Sequence, residues 1–503
     1  MTHTFWGFQF GSSRLLDTSS YTFKNGISPR YATTVRIFPV LDALSSISVS
    51  REKSQVIAVG LQMNHETNEI RLLIADNHHV SQALLHHLNK VWRKLQSLSD
   101  RYAEHRVRTG RSENPQYQVV SPDIPIQVAA LKVEIFRDVY LYSLQKQMRR
   151  VDKWFQRLGK FVRALLERRG PSNLDDFEQN LSDTVIVLLI ALKLVCKLRD
   201  NPETPLTDTE WAVVCSHSMA ANENVGGLLA DRNESGCEIL AEELKDDFHT
   251  GNPPEAFALR RALVKLTALP QHIETLFGFA HSPRLRPALQ YSMSIVGVPG
   301  RCRNAELPSK QAGWAQFLKT IWGEEHRWHK NVAWELAGKK WFAAQKYMCM
   351  IHCECKLIHY LETSHASRWD NVARFPYLGV SKLSCGACRI WISSFNELGG
   401  RQYYTRGSHD KWYWPWGMPI MGPALDKVMD KMMAKEVLLA YISHERTSGR
   451  LRAESESTGV SLLGAQHRPS KGQLKQVKAN TLALRRAFGG DLLLLARSEF
   501  PGA

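Results

Sequence analysis

The sequence predicts an α/β protein: a mainly helical N-terminal region with a small β-hairpin element, followed by a second domain of strand-to-helix units. Three observations predict it. Short β-branched segments occupy residues 30 to 80, apolar spacing switches to three and four from about residue 81 to 290, and tryptophan and cysteine crowd together after residue 313. The chain has 503 residues, and at roughly 100–200 residues per domain that length implies more than one.

The hairpin is read from Gln55-Val-Ile-Ala-Val-Gly-Leu61 and Glu69-Ile-Arg-Leu-Leu-Ile-Ala75, which flank the polar Asn64-His-Glu-Thr-Asn68. It closes an N-terminal segment expected over residues 1–80. A helical domain is expected over 81–290. In it, Val151, Trp154, Phe155, Leu158, Phe161 and Val162 form an apolar stripe, and lysines and arginines from Lys146 to Arg169 cover the remaining face. That face reads either as a solvated helix surface or as a track for phosphates, which would bind in a salt-dependent way. Proline and glycine between Pro283 and Pro308 predict a linker over 291–312. A second domain, rich in tryptophan and cysteine, is expected over 313–442, where ten of the 14 tryptophans fall between Trp314 and Trp416. A basic, largely disordered tail with a short helix through Leu474 to Leu484 is expected over 443–503.

Composition removes several classes. Residues 1–20 lack a basic stretch followed by an apolar one, so no secretory signal is read there. The longest apolar run, Val185 to Cys196, is interrupted by Lys193 and is shorter than the roughly 20 residues a spanning helix needs, so no membrane partner is expected. Nine cysteines, an odd number, argue for a reducing compartment and for an intracellular, cytoplasmic or nuclear location. Lys and Arg number 65 against 49 Asp and Glu, a net charge of +16 that favours a nucleotide or nucleic-acid partner. No protein partner is indicated.

Five of the nine cysteines lie between Cys349 and Cys388. The first half of this block runs Met348-Cys-Met-Ile-His352-Cys353-Glu354-Cys355, and the second ends Leu383-Ser-Cys385-Gly-Ala-Cys388. Each half reads as a strand entering a helix. Cys385 and Cys388 then share one face of a first turn, near free backbone N–H groups that are expected to lower their thiol pKa values. His352 supplies a third donor, and one imidazole with two thiolates is a ligand set for Zn2+ that keeps a fourth position open. Glu354 is placed to move protons beside such a metal without ligating it.

His352-x-Glu354 followed 33 residues after the histidine by Cys385-x-x-Cys388 resembles the zinc-dependent nucleobase deaminases of the cytidine-deaminase superfamily. The stretch Tyr377 to Cys388 and the later Thr405-Arg-Gly-Ser-His-Asp-Lys-Trp-Tyr-Trp-Pro-Trp416 are similar to a fungal deaminase-like branch related to bacterial toxin deaminases. The resemblance covers about residues 325 to 440. It implies a cytidine-deaminase-like α/β/α sandwich, His352, Cys385 and Cys388 as zinc ligands, and Glu354 as the catalytic proton shuttle for a zinc-bound hydroxide. By the same resemblance Arg406 and His409 are candidate substrate contacts; Arg406 and Lys411 could meet a phosphate, and Trp412 could stack on a base or fill a core. Tyr413, Trp414 and Trp416 could equally stack on a base or fill a core. Two positions depart from the superfamily pattern: Ser384 stands where proline is usual, and Cys353 where a small residue is usual.

Other readings remain open at this level. Cys353 and Cys355 with Cys385 and Cys388 would make a structural four-cysteine zinc site in a catalytically inactive, zinc-stabilised binding or scaffold protein. Cys385 and Cys388 alone could form a redox dithiol. His359 and His365 are read as packing or surface histidines.

Overall fold

The computed structural model describes residues 37–108, 126–230 without 202, 236–245, 257–300, 302–304, 348–364, 368–398, and 401–435 without 410, 412, 414, 415 and 434. In chain order these hold α1 (Phe38–Ile47), β1 (Ile57–Asn64), β2 (Glu69–Asp76), α2 (Gln82–Arg108), α3 (Ile126–Tyr142), α4 (Leu144–Arg169), α5 (Asp176–Asp200), α6 (Asp208–Ala230) and α7 (Gly236–Glu243). They continue with α8 (Leu259–His281), α9 (Arg286–Gln290), β3 (Ser292–Gly297), β4 (Cys302–Asn304), β5 (Met348–Met350), α10 (Cys353–Thr363), β6 (Gly379–Val380) and α11 (Gly386–Leu398). The fold class is as the sequence predicts: mostly helical, with a small mixed sheet in an α/β unit. Two compact units divide the chain. One takes residues 37–45, 55–86 and the described residues from 291 onward; the other takes 46–54 and the described residues of 87–290.

The helical unit is built on long amphipathic helices. Helix α5 begins with a capping box, in which the Asp175 carboxylate accepts from Glu178 N at 2.8 Å and the Glu178 carboxylate accepts from Asp175 N at 3.2 Å. Its apolar stretch, Val185 to Leu192 above all, packs against Trp154, Leu158, Phe161 and Leu165 of α4. This is the stretch whose length falls short of a bilayer. Among the described residues no helix is long and apolar enough to cross a membrane. The charged face of α4 is partly neutralised: Arg149 pairs with Glu52, Arg169 with Glu178 and Glu243, and Asp152 with Arg199.

The α/β unit carries a four-stranded sheet in the order β3-β2-β1-β6. The hairpin is real: β1 and β2 pair antiparallel from Ile57↔Asp76 to Asn64↔Glu69. Its turn is fixed by the Asn64 side chain, which accepts from Glu66 N, and by Asn68 at φ 52°, a left-handed conformation asparagine tolerates. On one face of the sheet Ala58, Leu73, Ala75 and Val380 pack with Leu357 and Ile358 of α10 and with Trp391 of α11. On the other face α1 comes so close at Gly379 that an added Cβ would overlap the Leu41 backbone. Helices therefore cover both faces, and only glycine permits that approach.

Two features differ from the sequence expectation. The hairpin, read as part of a segment over 1–80, is the centre of the α/β unit's sheet, because both of its strands are buried on both faces and need a layer on each side. Residues 291–312, read as a linker, contain β3 and β4. Strand β3 pairs in parallel with β2, from Glu69↔Ser292 to Ile74↔Gly297, and β4 pairs antiparallel with β5. The proline and glycine punctuation there bounds short strands. The segments read as a tail over 443–503 and the helix through Leu474 lie outside the described residues, as do Trp314 to Trp341, His365, Trp412 and Trp414.

Candidate metal centre

Two helix starts build the site. His352 is the N-cap residue of α10, in extended conformation at φ −67°, ψ 155°. The first turn of that helix is held by the far end of β2. Cys353 N donates to Asn77 Oδ1 at 3.1 Å, and the Lys356 ammonium, only 2% exposed, donates to the Asp76 carbonyl at 2.7 Å. The donor groups that a helix N-terminus leaves over are thus partly met by the hairpin. Cys385 immediately precedes α11 and its sulfur accepts from Cys388 N at 3.4 Å, where a serine or aspartate oxygen would ordinarily cap. Gly386 N in the same turn donates to the Lys411 carbonyl at 3.0 Å.

His352 Nδ1 lies 3.5 Å from Cys385 Sγ and 3.4 Å from Cys388 Sγ, and all three donor atoms lie within 4.8 Å of one another. A metal with a nitrogen ligand at about 2.0 Å and a sulfur ligand at about 2.3 Å, at a tetrahedral angle, sets them about 3.5 Å apart. The three residues can hold a metal ion without rearrangement. Glu354, 2% exposed, puts Oε2 3.9 Å from Cys388 Sγ and accepts from Cys353 Sγ at 3.3 Å. It stands beside the group and not in it.

The thiols behave differently from the sequence expectation. The bond with Cys388 and then burial push Cys385 far above the usual thiol range, and burial first of all pushes Cys388 well above it too. The bond between the two thiols and the loss of water both favour the neutral form here, against the expectation from the helix start alone. Burial disfavours the charged form of His352, but its bond to Cys385 and the nearby Glu354 carboxylate win and raise it.

Cys353 and Cys355 are both fully buried, yet neither joins the donor group. Two positions apart on a helix, they point to different sides. Burial pushes Cys355 up to about 11. Arg406 is 5% exposed with its charge opposite the buried Asp42, and among the described residues its Nε and Nη1 have no hydrogen-bond partner. The His409 amide donates to the Ser384 carbonyl at 3.1 Å, so this loop runs beside Cys385. The His409 ring meets Tyr413 edge-on at 5.4 Å, and Tyr413 is 48% exposed. Lys411 is half-buried and reaches the site through its backbone. His359 packs as expected, its Nε2 bonded to the Ile420 carbonyl at 2.7 Å.

Sequence reasoning missed Asn77, Lys356 and the role of Trp416. The Trp416 indole N–H donates to Cys388 Sγ at 3.3 Å. Spacing carries no signal for any of them, since Asn77 and Lys356 act across the fold.

One imidazole and two thiolates with a glutamate close by but outside the group is the residue set of the zinc deaminases. Residues 351–420 match the family model of the OTT_1508_deam-like deaminases. That stretch is a cytidine-deaminase-like domain, and it contains His352, Glu354, Cys385 and Cys388. No curated protein and no solved structure matches the chain.

Proposed function

We propose that the protein is a zinc-dependent hydrolytic deaminase acting on an amino-substituted nucleobase in a nucleotide or nucleic acid. The carrying observation is the buried Glu354 carboxylate beside a His352, Cys385, Cys388 donor set within the deaminase match. Zinc bound there supplies Lewis acidity and brings water towards a pKa of about 7.

The chain's own residues do the rest. His352, Cys385 and Cys388, at two helix starts, would hold the ion. Glu354 takes a proton from water and delivers it to the departing amine, so that ring–NH2 and water become ring=O and ammonia. Low exposure at Glu354, Cys385 and Cys388 keeps bulk water out and strengthens each electrostatic contact. The loop of His409, Lys411 and Tyr413 beside Cys385 is the nearest candidate for holding the base. Arg406, whose Nε and Nη1 have no hydrogen-bond partner among the described residues, is a further candidate for a substrate phosphate.

The scaffold alternative would need Cys353 and Cys355 as ligands: the Cys355 side chain bonds that of Cys388, but neither residue belongs to the His352, Cys385, Cys388 donor group. The test is to purify the full chain, measure zinc, and follow a panel of bases, nucleotides and single-stranded DNA and RNA by mass spectrometry, beside Glu354→Gln. Zinc near one per chain with a product 1 Da heavier, absent in Glu354→Gln, is expected. Zinc without any product across the panel overturns the enzymatic reading.

A further inference from the structure

The two sulfurs of the donor group obtain N–H donors by different routes. Cys385, at the cap of α11, receives the amide of Cys388 in its own first turn at 3.4 Å. Cys388 sits one turn further in, is fully buried, and takes an N–H from another part of the chain: the Trp416 indole, at 3.3 Å. That geometry is anchored by backbone. Trp416 forms a parallel bridge with Met350, Gly417 N donates to the Met350 carbonyl at 2.9 Å, and a Cβ on Gly417 would come within 2.8 Å of the Cys349 carbonyl. The chain around Trp416 is therefore pressed against β5, the strand that leads directly to His352. Trp416 also packs on the core cluster that contains both cysteines.

We propose that Trp416 is a positioning residue of the metal centre, whose indole N–H shares the charge of the Cys388 thiolate and sets how strongly that sulfur donates to the ion. The proposal rests on the zinc reading above. A fully buried thiolate without water needs such a donor, and N–H groups around metal ligands tune both affinity and Lewis acidity. The indole meets the sulfur through its N–H edge.

The test uses the full chain loaded with Co2+, which reports cysteine ligation as sulfur-to-cobalt charge-transfer absorption. In Trp416→Phe the charge-transfer band is expected to move to longer wavelength, and affinity in a chelator competition to fall by about 10- to 100-fold. Replacing Trp416 with benzothienylalanine, which keeps the bicyclic shape and lacks only the N–H, is expected to give the same band shift. A benzothienylalanine protein with the wild-type band and affinity overturns the proposal, even if Trp416→Phe is poorly folded. If wild type gives no cobalt–thiolate band, the zinc reading itself fails and takes this one with it. A wild-type band combined with no change in either variant sinks the Trp416 role alone.

Discussion

Helix α4 keeps nearly all of its charges at the surface, whereas helix α10 buries a glutamate, a lysine and a histidine. On α4 most lysines and arginines face solvent or surface acids, Arg150 being the exception, since burial lowers it to about 10 and it donates to the buried Gln147. On α10, Glu354 and Lys356 are each 2% exposed and His359 5%. Burying such groups costs several kcal/mol unless each finds a partner. Here the partners come from far along the chain: the Asp76 carbonyl for Lys356, the Ile420 carbonyl for His359, and the cysteine group for Glu354. A helix held by periodicity alone is structural, and one that needs distant partners marks a site.

The sharpest way to break that contrast is at the donor group. Cys388→Ser is expected to abolish stoichiometric metal in elemental analysis. Glu354→Gln is expected to retain the metal and lose deamination by about 10²- to 10⁴-fold, the usual worth of positioned acid–base groups. Equal metal loss in both would make Glu354 a ligand.

Next comes Lys356→Met. It leaves the buried Asp76 carbonyl without its donor and is expected to cost about 1–3 kcal/mol in urea unfolding. Arg157→Met on the exposed face of α4 is expected to stay within about 0.5 kcal/mol. Similar losses at the two positions would erase the distinction between the helices.

Acid separates the two units in a further way. Burial lowers His87 to about 4, so the stability it lends the helical unit is complete above the unfolded value near 6.5 and is lost as pH falls towards 4. Burial raises Asp42 to about 6 against the opposing charge of Arg406. Its contribution to the α/β unit is full below the ordinary value of 3.8 and declines as pH rises through 6. Hydrogen exchange at pH 4.5 and 6.5 is expected to show weaker protection around His87 and stronger protection around Asp42 at the lower pH. His87→Gln and Asp42→Asn should each flatten their own response.

The smallest effect concerns the charged side of α4. Arg157→Glu with Lys160→Glu is expected to weaken single-stranded nucleic-acid binding a few-fold and to reduce its salt dependence. An unchanged salt titration would leave that face as solvated surface.

What was legible in the sequence follows the same division. The apolar stripe of α4, the buried run of α5 and the hairpin are local patterns, and their periods are visible in short windows. His352, Glu354, Cys385 and Cys388 were legible because chemistry fixes their types and helix starts fix their spacing. The pairing of β2 with β3 was not, since Glu69 and Ser292 meet across the whole helical region. Asn77 and Trp416 were hidden for the same reason. The high thiol pKa values were missed because the sequence shows a helix start but not how dry it is.

The position of the helical region between β2 and β3 has a consequence for synthesis. When the hairpin leaves the ribosome, its two outer edges have no neighbours, because β3 and β6 are encoded after residues 87–290. Open strand edges invite pairing with other chains. Asp76 and Asn77, which will grip α10, are likewise made long before it. The helical unit has its own core and can form while the chain is still growing, so the His352, Cys385, Cys388 group is assembled last, by segments that must wait for one another.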